Sequence, residues 1–202
     1  IVTAGLPTVG LRMPNHPLAL ELIRESGVPI AAPSANRFMQ LSPTLAQHVV
    51  DSFGDAVPVL DGGPCQVGIE STVVSIAGGK VTLLRPGMIA FPNLELVSHA
   101  AGAAHPAPGM HERHYSPRTP LFLVAGPEQL PPGVGAYLWR EKMGQLPSQV
   151  RMPADPEAYA ARLYTVLHEL DREDWPWIAV EAPPDTPAWA AVLDRLRRAA
   201  TR

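Results

Sequence analysis

Proline sets the first limit on this chain. It has 24 prolines and 16 glycines in 202 residues, against roughly 5% and 7% in average usage. A proline has no N–H and a fixed φ, so it ends helices and stays out of central strands. Spread along the whole chain, the prolines cut it into short elements and exclude a long helical bundle. The remaining composition, 46% hydrophobic and 17% charged, supplies a core and excludes disorder of the whole chain. The length predicts one or two domains. A formal net charge of −3 argues against a broad nucleic-acid-binding surface. The single cysteine, Cys65, excludes an intramolecular disulfide framework and a cysteine-rich zinc site, and fits a reducing, cytoplasmic compartment. No apolar run approaches the roughly 20 residues of a membrane span. The chain opens at Ile1, in what reads as the middle of a structured segment, and part of the protein is expected to be absent from this sequence.

Two α/β units are predicted. In the first, the apolar spacing of Leu18, Leu20, Leu22 and Ile23 predicts a helix over 17–26 with Gly27 as its stop. Residues 28–32 read as a strand delivering Pro33-Ser34-Ala35-Asn36 to its end. Ser42 and Pro43 read as the N-cap and first position of a helix running to Phe53. Val57 to Leu60 reads as a strand, and residues 71–76 and 81–85 as a hairpin. Residues 98–120, rich in Ala, Gly, Pro and His, read as a partly extended linker. Beyond it, strands at 121–124 and 177–180 alternate with helices at 159–170 and 189–200. That order predicts a small Rossmann-like unit with parallel strands. Arg195, Arg197 and Arg198 fall where a helix end favours positive charge.

Several residues could carry chemistry. Ser34 and Asn36 face the same way at a strand end, where their donors and acceptors suit phosphate or ribose; alternatively they cap a turn. Thr8 and Arg12 share one side of an extended stretch, and Arg12 is either an anion clamp or half of an internal salt bridge. Arg85 either meets a phosphate or pairs with Glu70 across the hairpin. His114-Tyr115 on the linker reads as a lid that closes over a pocket. His99, His105, His111 and His114 lack the carboxylate or thiol partners of a metal site, so none is expected. Cys65 reads as inert, and most of Trp139, Trp175, Trp177 and Trp189 as core.

Taken together, Ala32-Pro33-Ser34-Ala35-Asn36, Leu41-Ser42-Pro43-Thr44, Asp61-Gly62-Gly63-Pro64, Gly68-Ile69-Glu70-Ser71-Thr72-Val73-Val74 and Leu84-Arg85-Pro86-Gly87 resemble the C-terminal half of the YrdC/Sua5 domain. Residues 108–117 are similar to the interdomain linker of the longer, Sua5-type members, and 154–200 to their C-terminal domain. The resemblance implies an α/β fold: residues 1–97 as the C-terminal part of an open twisted α/β catalytic domain, 98–120 as linker and lid, and 121–202 as a small α/β domain. It also implies an L-threonylcarbamoyladenylate synthase. Such an enzyme joins L-threonine, bicarbonate and ATP with Mg²⁺, releases pyrophosphate, and supplies the machinery that forms t6A on tRNA.

By the same resemblance Thr8, Ser34, Asn36, Ser42, Arg85 and Tyr115 would bind ATP and the adenylate, while Arg12, Ala32 and Thr72 would bind threonine. No tightly bound cofactor is implied. The family's Lys-x-Arg motif has no counterpart, since no lysine precedes Lys80, and this chain is therefore expected to be an incomplete, inactive fragment. Two other functions share these features: the carbamoyl-adenylate chemistry of hydrogenase maturation, and a non-catalytic nucleotide- or RNA-binding module.

Overall fold

The computed structural model describes Thr3 and residues 5–91, 93, 94, 96, 97 and 114–201. In the first unit α1 (Pro17–Ser26) begins with proline and ends at Gly27, whose left-handed φ of 65° turns the chain and sends its N–H to the Arg24 carbonyl. Helix α2 (Ala46–Phe53) starts later than expected, after an extended Leu45 with no side-chain cap. The expected cap, Ser42, donates instead to Glu70, and the Thr44 N–H is satisfied by Nδ1 of His48 one turn on. Strands β1 (Val73–Ala77) and β2 (Lys80–Arg85) pair antiparallel. Gly78 and Gly79 between them have φ of 57° and 73°, the positive values a two-residue hairpin turn needs.

The expected strands at 28–32 and 57–60 do not form. A strand exists by its ladder, and among the described residues neither segment has a paired neighbour; both are exposed. Val28, Ile30, Val57, Val59 and Leu60 accordingly leave much of their side chains uncovered.

The second unit carries the core. Strands β3 (Leu121–Val124), β4 (Ala136–Trp139), β5 (Ser148–Arg151) and β6 (Ile178–Glu181) form a four-stranded sheet in the order β3-β6-β4-β5. All three pairings are parallel, as the α/β reading requires. Alternation sorts the side chains. Leu121, Ala136, Leu138, Ile178 and Val180 face α3 (Pro156–Arg172) and α4 (Ala190–Ala200) in the main core, whereas Val124, Tyr137, Trp177 and Ala179 form a smaller cluster on the opposite face. Helix α3 starts three residues before the expected Tyr159, because Asp155 caps it by accepting from the Ala158 N–H and Pro156 supplies the first position. Strands β4 and β5 escaped the sequence reading: each is four residues long, and β5, on the sheet edge, is largely polar.

Residues 98–113 of the expected linker lie outside the described residues. The rest of it, 114–120, is no free tether. His114, Tyr115, Ser116 and Thr119 are buried. The Ser116 N–H donates to the Met39 carbonyl, and the Arg118 and Thr119 N–H groups donate to the Asp171 carboxylate.

These contrasts predict uneven local stability. Backbone amides of 28–33 and 57–63 should exchange with solvent at least about a thousandfold faster than those in the middle of β4 and β6. Hydrogen-exchange mass spectrometry of the native protein reads this directly, and equal protection of 28–33 and β6 would mean that the first segment is covered after all.

Candidate functional site

Glu70 is the hub of the site. Its Oε1 accepts from Ser42 Oγ at 2.5 Å, and its Oε2 accepts from Arg195 Nε at 2.7 Å and the Tyr164 hydroxyl at 3.3 Å. The Glu70 carbonyl accepts from Arg195 Nη2 at 3.0 Å, and Asp194 takes Nη1 at 2.6 Å. Arg195 also stands over the Tyr115 ring, 5.4 Å from its centre. Neither expectation for these charges holds: the partner of Glu70 is Arg195 rather than Arg85, and Arg195 serves the interior rather than the helix end. Arg85 donates from Nε and Nη2 to the Ser71 carbonyl at 3.1 and 3.0 Å, and from Nη1 to the Tyr115 hydroxyl at 3.0 Å.

The electrostatics are set by burial and these partners. Burial works to lower the Arg195 pKa, but Glu70, Tyr164 and Asp194 outweigh it and the pKa is raised. Burial, with Glu70 adding to it, pushes the Tyr115 and Tyr164 phenols up. Both phenols therefore stay protonated at neutral pH; Tyr164 donates to Glu70, while the Tyr115 hydroxyl accepts from Arg85. Tyr115 is left-handed, with φ of 60°, and so is Met39, at 67°, whose carbonyl it faces through Ser116. For residues with side chains this is a strained conformation that packing must hold.

The sequence-derived residues are not all brought together. Ser42 is hydrogen-bonded to the Glu70–Arg195 pair, and Arg85 to the Tyr115 hydroxyl; the two groups are joined by the Arg195 guanidinium stacked on the Tyr115 ring. Thr72 adjoins this cluster, with Oγ1 donating to the Ile89 carbonyl at 2.7 Å. Gly87 fits only as glycine there, since a Cβ would lie 2.2 Å from the Thr72 nitrogen. Asn36 donates to the Arg37 and Gln40 carbonyls, both at 3.0 Å, so part of it closes a turn as the alternative reading allowed. Its Oδ1 is buried without a donor among the described residues. Gln40 in turn bridges to Ser116. Thr8, Arg12, Ala32 and Ser34 are exposed, and Arg12 has no ion pair among the described residues. Tyr115, expected as a lid, is 2% exposed and packs 6.1 Å from Tyr164, ring to ring.

The two units meet along α2 and α3. The rings of His48 and His168 stack 3.8 Å apart at 24°. His48 Nδ1 accepts from the Thr44 N–H, so its proton sits on Nε2; His168 Nε2 donates to the Ser42 carbonyl at 3.1 Å. Thr44 and Thr165 hydroxyls bond at 2.9 Å, and Arg172 pairs with Asp51. Burial, then the neighbouring His168 and Arg172, lowers the His48 pKa from 6.5 to about 4. Burial likewise lowers His168. Tyr164 and His168, four residues apart on α3, went unrecognised in the sequence because they sit inside an apolar helix face.

Among the described residues no three His, Cys, Asp or Glu side chains come together to hold a metal ion. His99, His105 and His111 lie outside the described residues. No described helix is long and apolar enough to cross a membrane.

The comparisons with known proteins agree with one another. The family model for the threonylcarbamoyl-AMP synthase C-terminal domain matches residues 80–201, and the model described as telomere recombination, for the Sua5, YciO and YrdC proteins, matches 1–87. The threonylcarbamoyl-AMP synthase of Bacillus subtilis is 40% identical over 98% of this chain and 65% of its own length. Those of Schizosaccharomyces pombe and Pyrococcus abyssi are each 34% identical, over 100% and 98% of the chain and 59% and 66% of their own lengths. This chain thus spans less than two thirds of the length of these relatives. The crystal structure of P. abyssi Sua5 complexed with L-threonine superposes with a TM-score of 0.86 at 31% identity, covering 98% of this chain and 65% of that one. With family models matching both parts of the chain and relatives at 34–40% identity along nearly all of it, the chain belongs to the YrdC/Sua5 family, in its Sua5 branch.

Proposed function

We propose that this chain is part of an L-threonylcarbamoyladenylate synthase, a nucleotidyltransferase that joins L-threonine, bicarbonate and ATP and releases pyrophosphate. Residues 1–97 form its part of the catalytic domain, 98–120 the linker, and 121–202 the accessory domain. The observation that carries this reading is the convergence of Ser42, Arg85 and Tyr115, from three distant segments, around Glu70 and Arg195 beside Thr72, through hydrogen bonds and the stacking of Arg195 on Tyr115. Family membership and the threonine complex of the P. abyssi relative support the substrate class.

The chemistry suits these residue types. Threonine's amine and bicarbonate give a carbamate and water. A carbamate oxygen then attacks the α-phosphorus of ATP, a new P–O bond forms, the bond to the β-phosphate breaks, and pyrophosphate leaves. No protein nucleophile is required, only groups that neutralise and orient phosphate and carboxylate. Magnesium enters with the nucleotide as part of the substrate, coordinated by phosphate oxygens and water. Ser34, Asn36, Ser42 and Thr8 serve the nucleotide, with Arg85 and Tyr115 on the adenylate side. The exposed guanidinium of Arg12 takes the threonine carboxylate as a bidentate fork, and Thr72 and the Ala32 backbone complete that subsite. The product, a reactive mixed anhydride, passes to the enzymes that form t6A on tRNA, in the cytoplasm.

Incubation of the full-length protein that contains this chain with ATP, bicarbonate and labelled threonine should yield pyrophosphate and the threonylcarbamoyl adenylate, whereas residues 1–202 alone, without the Lys-x-Arg motif, should yield neither. Arg12→Ala should raise the KM for threonine, and Ser34→Ala that for ATP, each lowering kcat/KM by at least about tenfold, the effect of roughly 1.4 kcal/mol of lost binding. Wild-type turnover in both variants would remove these assignments.

A further inference from the structure

Arg195 has an environment its sequence position does not explain. Its neighbours on α4, Arg197 and Arg198, pair with Asp185 and Asp194 near the surface, whereas the Arg195 side chain is 0% exposed. A buried guanidinium is tolerated only when its donors are matched. Each of the Arg195 nitrogens is: Nε and Nη2 hold the carboxylate and the carbonyl of the same residue, Glu70, and Nη1 holds Asp194. The flat face of the same group covers the Tyr115 ring. Arg195 thus senses two features of the first unit and linker at once, the side-chain rotamer and backbone of Glu70 and the position of Tyr115. Each leads one step further. Glu70, with Oε2 pinned by Arg195, turns Oε1 to Ser42; Tyr115, pinned beneath the guanidinium, turns its hydroxyl to Arg85.

We infer that Arg195 is a positioning residue for nucleotide binding: from the second unit it holds Glu70 and Tyr115 so that Ser42 and Arg85 are presented to ATP. The inference rests on the synthase reading for what the site binds, and on the geometry alone for the coupling. It gives the second unit a role at the site, because Ser42 and Arg85, the groups held in place through Glu70 and Tyr115, are those the synthase reading assigns to the nucleotide. Planarity is essential to this role. A lysine ammonium is a point charge that cannot grip a carboxylate and a carbonyl in parallel while stacking on a ring.

In the full-length protein, the test compares Arg195→Lys with the double variant Arg195→Met/Glu70→Gln, which removes both charges, while Asp194 keeps Arg198 as its partner. Both should keep a thermal midpoint close to wild type while the KM for ATP rises at least about tenfold and that for threonine moves less than about threefold. An unchanged KM for ATP in either folded variant overturns the inference. So does a parallel rise in both KM values together with a fall in thermal midpoint, which would mark Arg195 as structural only. Hydrogen exchange separates this inference from the synthase reading. Arg195→Lys should speed exchange at 40–45 and 114–116 and leave β4 and β6 unchanged, whether or not the wild type makes threonylcarbamoyl adenylate. Unaltered exchange at those segments overturns the coupling, while a wild type that makes no product overturns the synthase reading alone.

Discussion

Gly68→Ala should separate the first unit from α3 and cost about 3 kcal/mol of stability. Gly68 has φ of 78°, which an alanine adopts only under strain, and a Cβ there would lie 2.4 Å from the Ala160 carbonyl oxygen and 2.5 Å from the Ala161 Cα. Those are backbone atoms of a helix and cannot rotate away. The left-handed backbone contributes roughly 1 to 2 kcal/mol, and pushing the helix off its neighbour a further 1 to 3 kcal/mol. Gly63→Ala is the control: its φ is 84°, yet nothing lies within 4 Å of its Cβ, so it carries the strain without the collision. Urea unfolding of the two variants should show Gly68→Ala the less stable by at least about 1 kcal/mol. Equal losses would mean that the approach of Gly68 to α3 contributes nothing. Because Glu70 is two residues away, the same variant should also loosen Ser42 and Tyr115.

Acid should undo the same interface from its other end. His48 is 2% exposed and has a folded-state pKa of about 4 against the usual 6.5. The folded protein therefore refuses a proton that the unfolded chain accepts between those values. The sign follows from linkage: where the unfolded state binds more protons, stability rises with pH. The contribution is fully present above about pH 6.5 and is lost as pH falls towards 4, roughly 3 kcal/mol for this group alone. His168, also lowered, acts in the same sense. The surrounding charges are Arg172, which opposes protonation, and Asp51 and Asp171, which favour it. Protonation would place a proton on His48 Nδ1, where the Thr44 N–H now donates, and two like charges in rings 3.8 Å apart. Unfolding midpoints of wild type and His48→Gln between pH 7 and pH 5, above the range where carboxylates titrate, check this. The wild type should lose more stability over that interval than His48→Gln, which keeps only the contribution of His168, and parallel curves would exclude His48 as a cause.

Much of the local structure was legible because it is written in adjacent residues. Pro17 and Gly27 bracket α1, and a pair of glycines between alternating apolar residues marks the β1–β2 hairpin. Leu121 to Val124 is a short, continuous apolar strand. Asp155-Pro156, an N-cap residue followed by proline, is likewise a local signal for the start of α3. Strands at 28–32 and 57–60 were inferred from residue type, yet the property they lack is a hydrogen-bonded neighbour, which no short stretch of sequence encodes. Among the site residues, the Ser-x-Asn loop, Ser42, Thr72 and Arg85 stood out through their motifs. Glu70 stood out too, but with the wrong partner: Arg85 lies close by in sequence, whereas Arg195 is 125 positions away.

Residue order alone was enough to specify short elements, a parallel second unit and the family to which the chain belongs, since each depends on neighbours along the chain and on motifs in a given order. The folded arrangement assigned the charges. Ser42 could have capped a helix, Arg195 could have faced solvent at a helix end, and Tyr115 could have stood open on a tether. Each became part of one buried network because a carboxylate brought out of water must be matched by whichever donors packing delivers to it, and packing draws those donors from α3, α4 and the linker together.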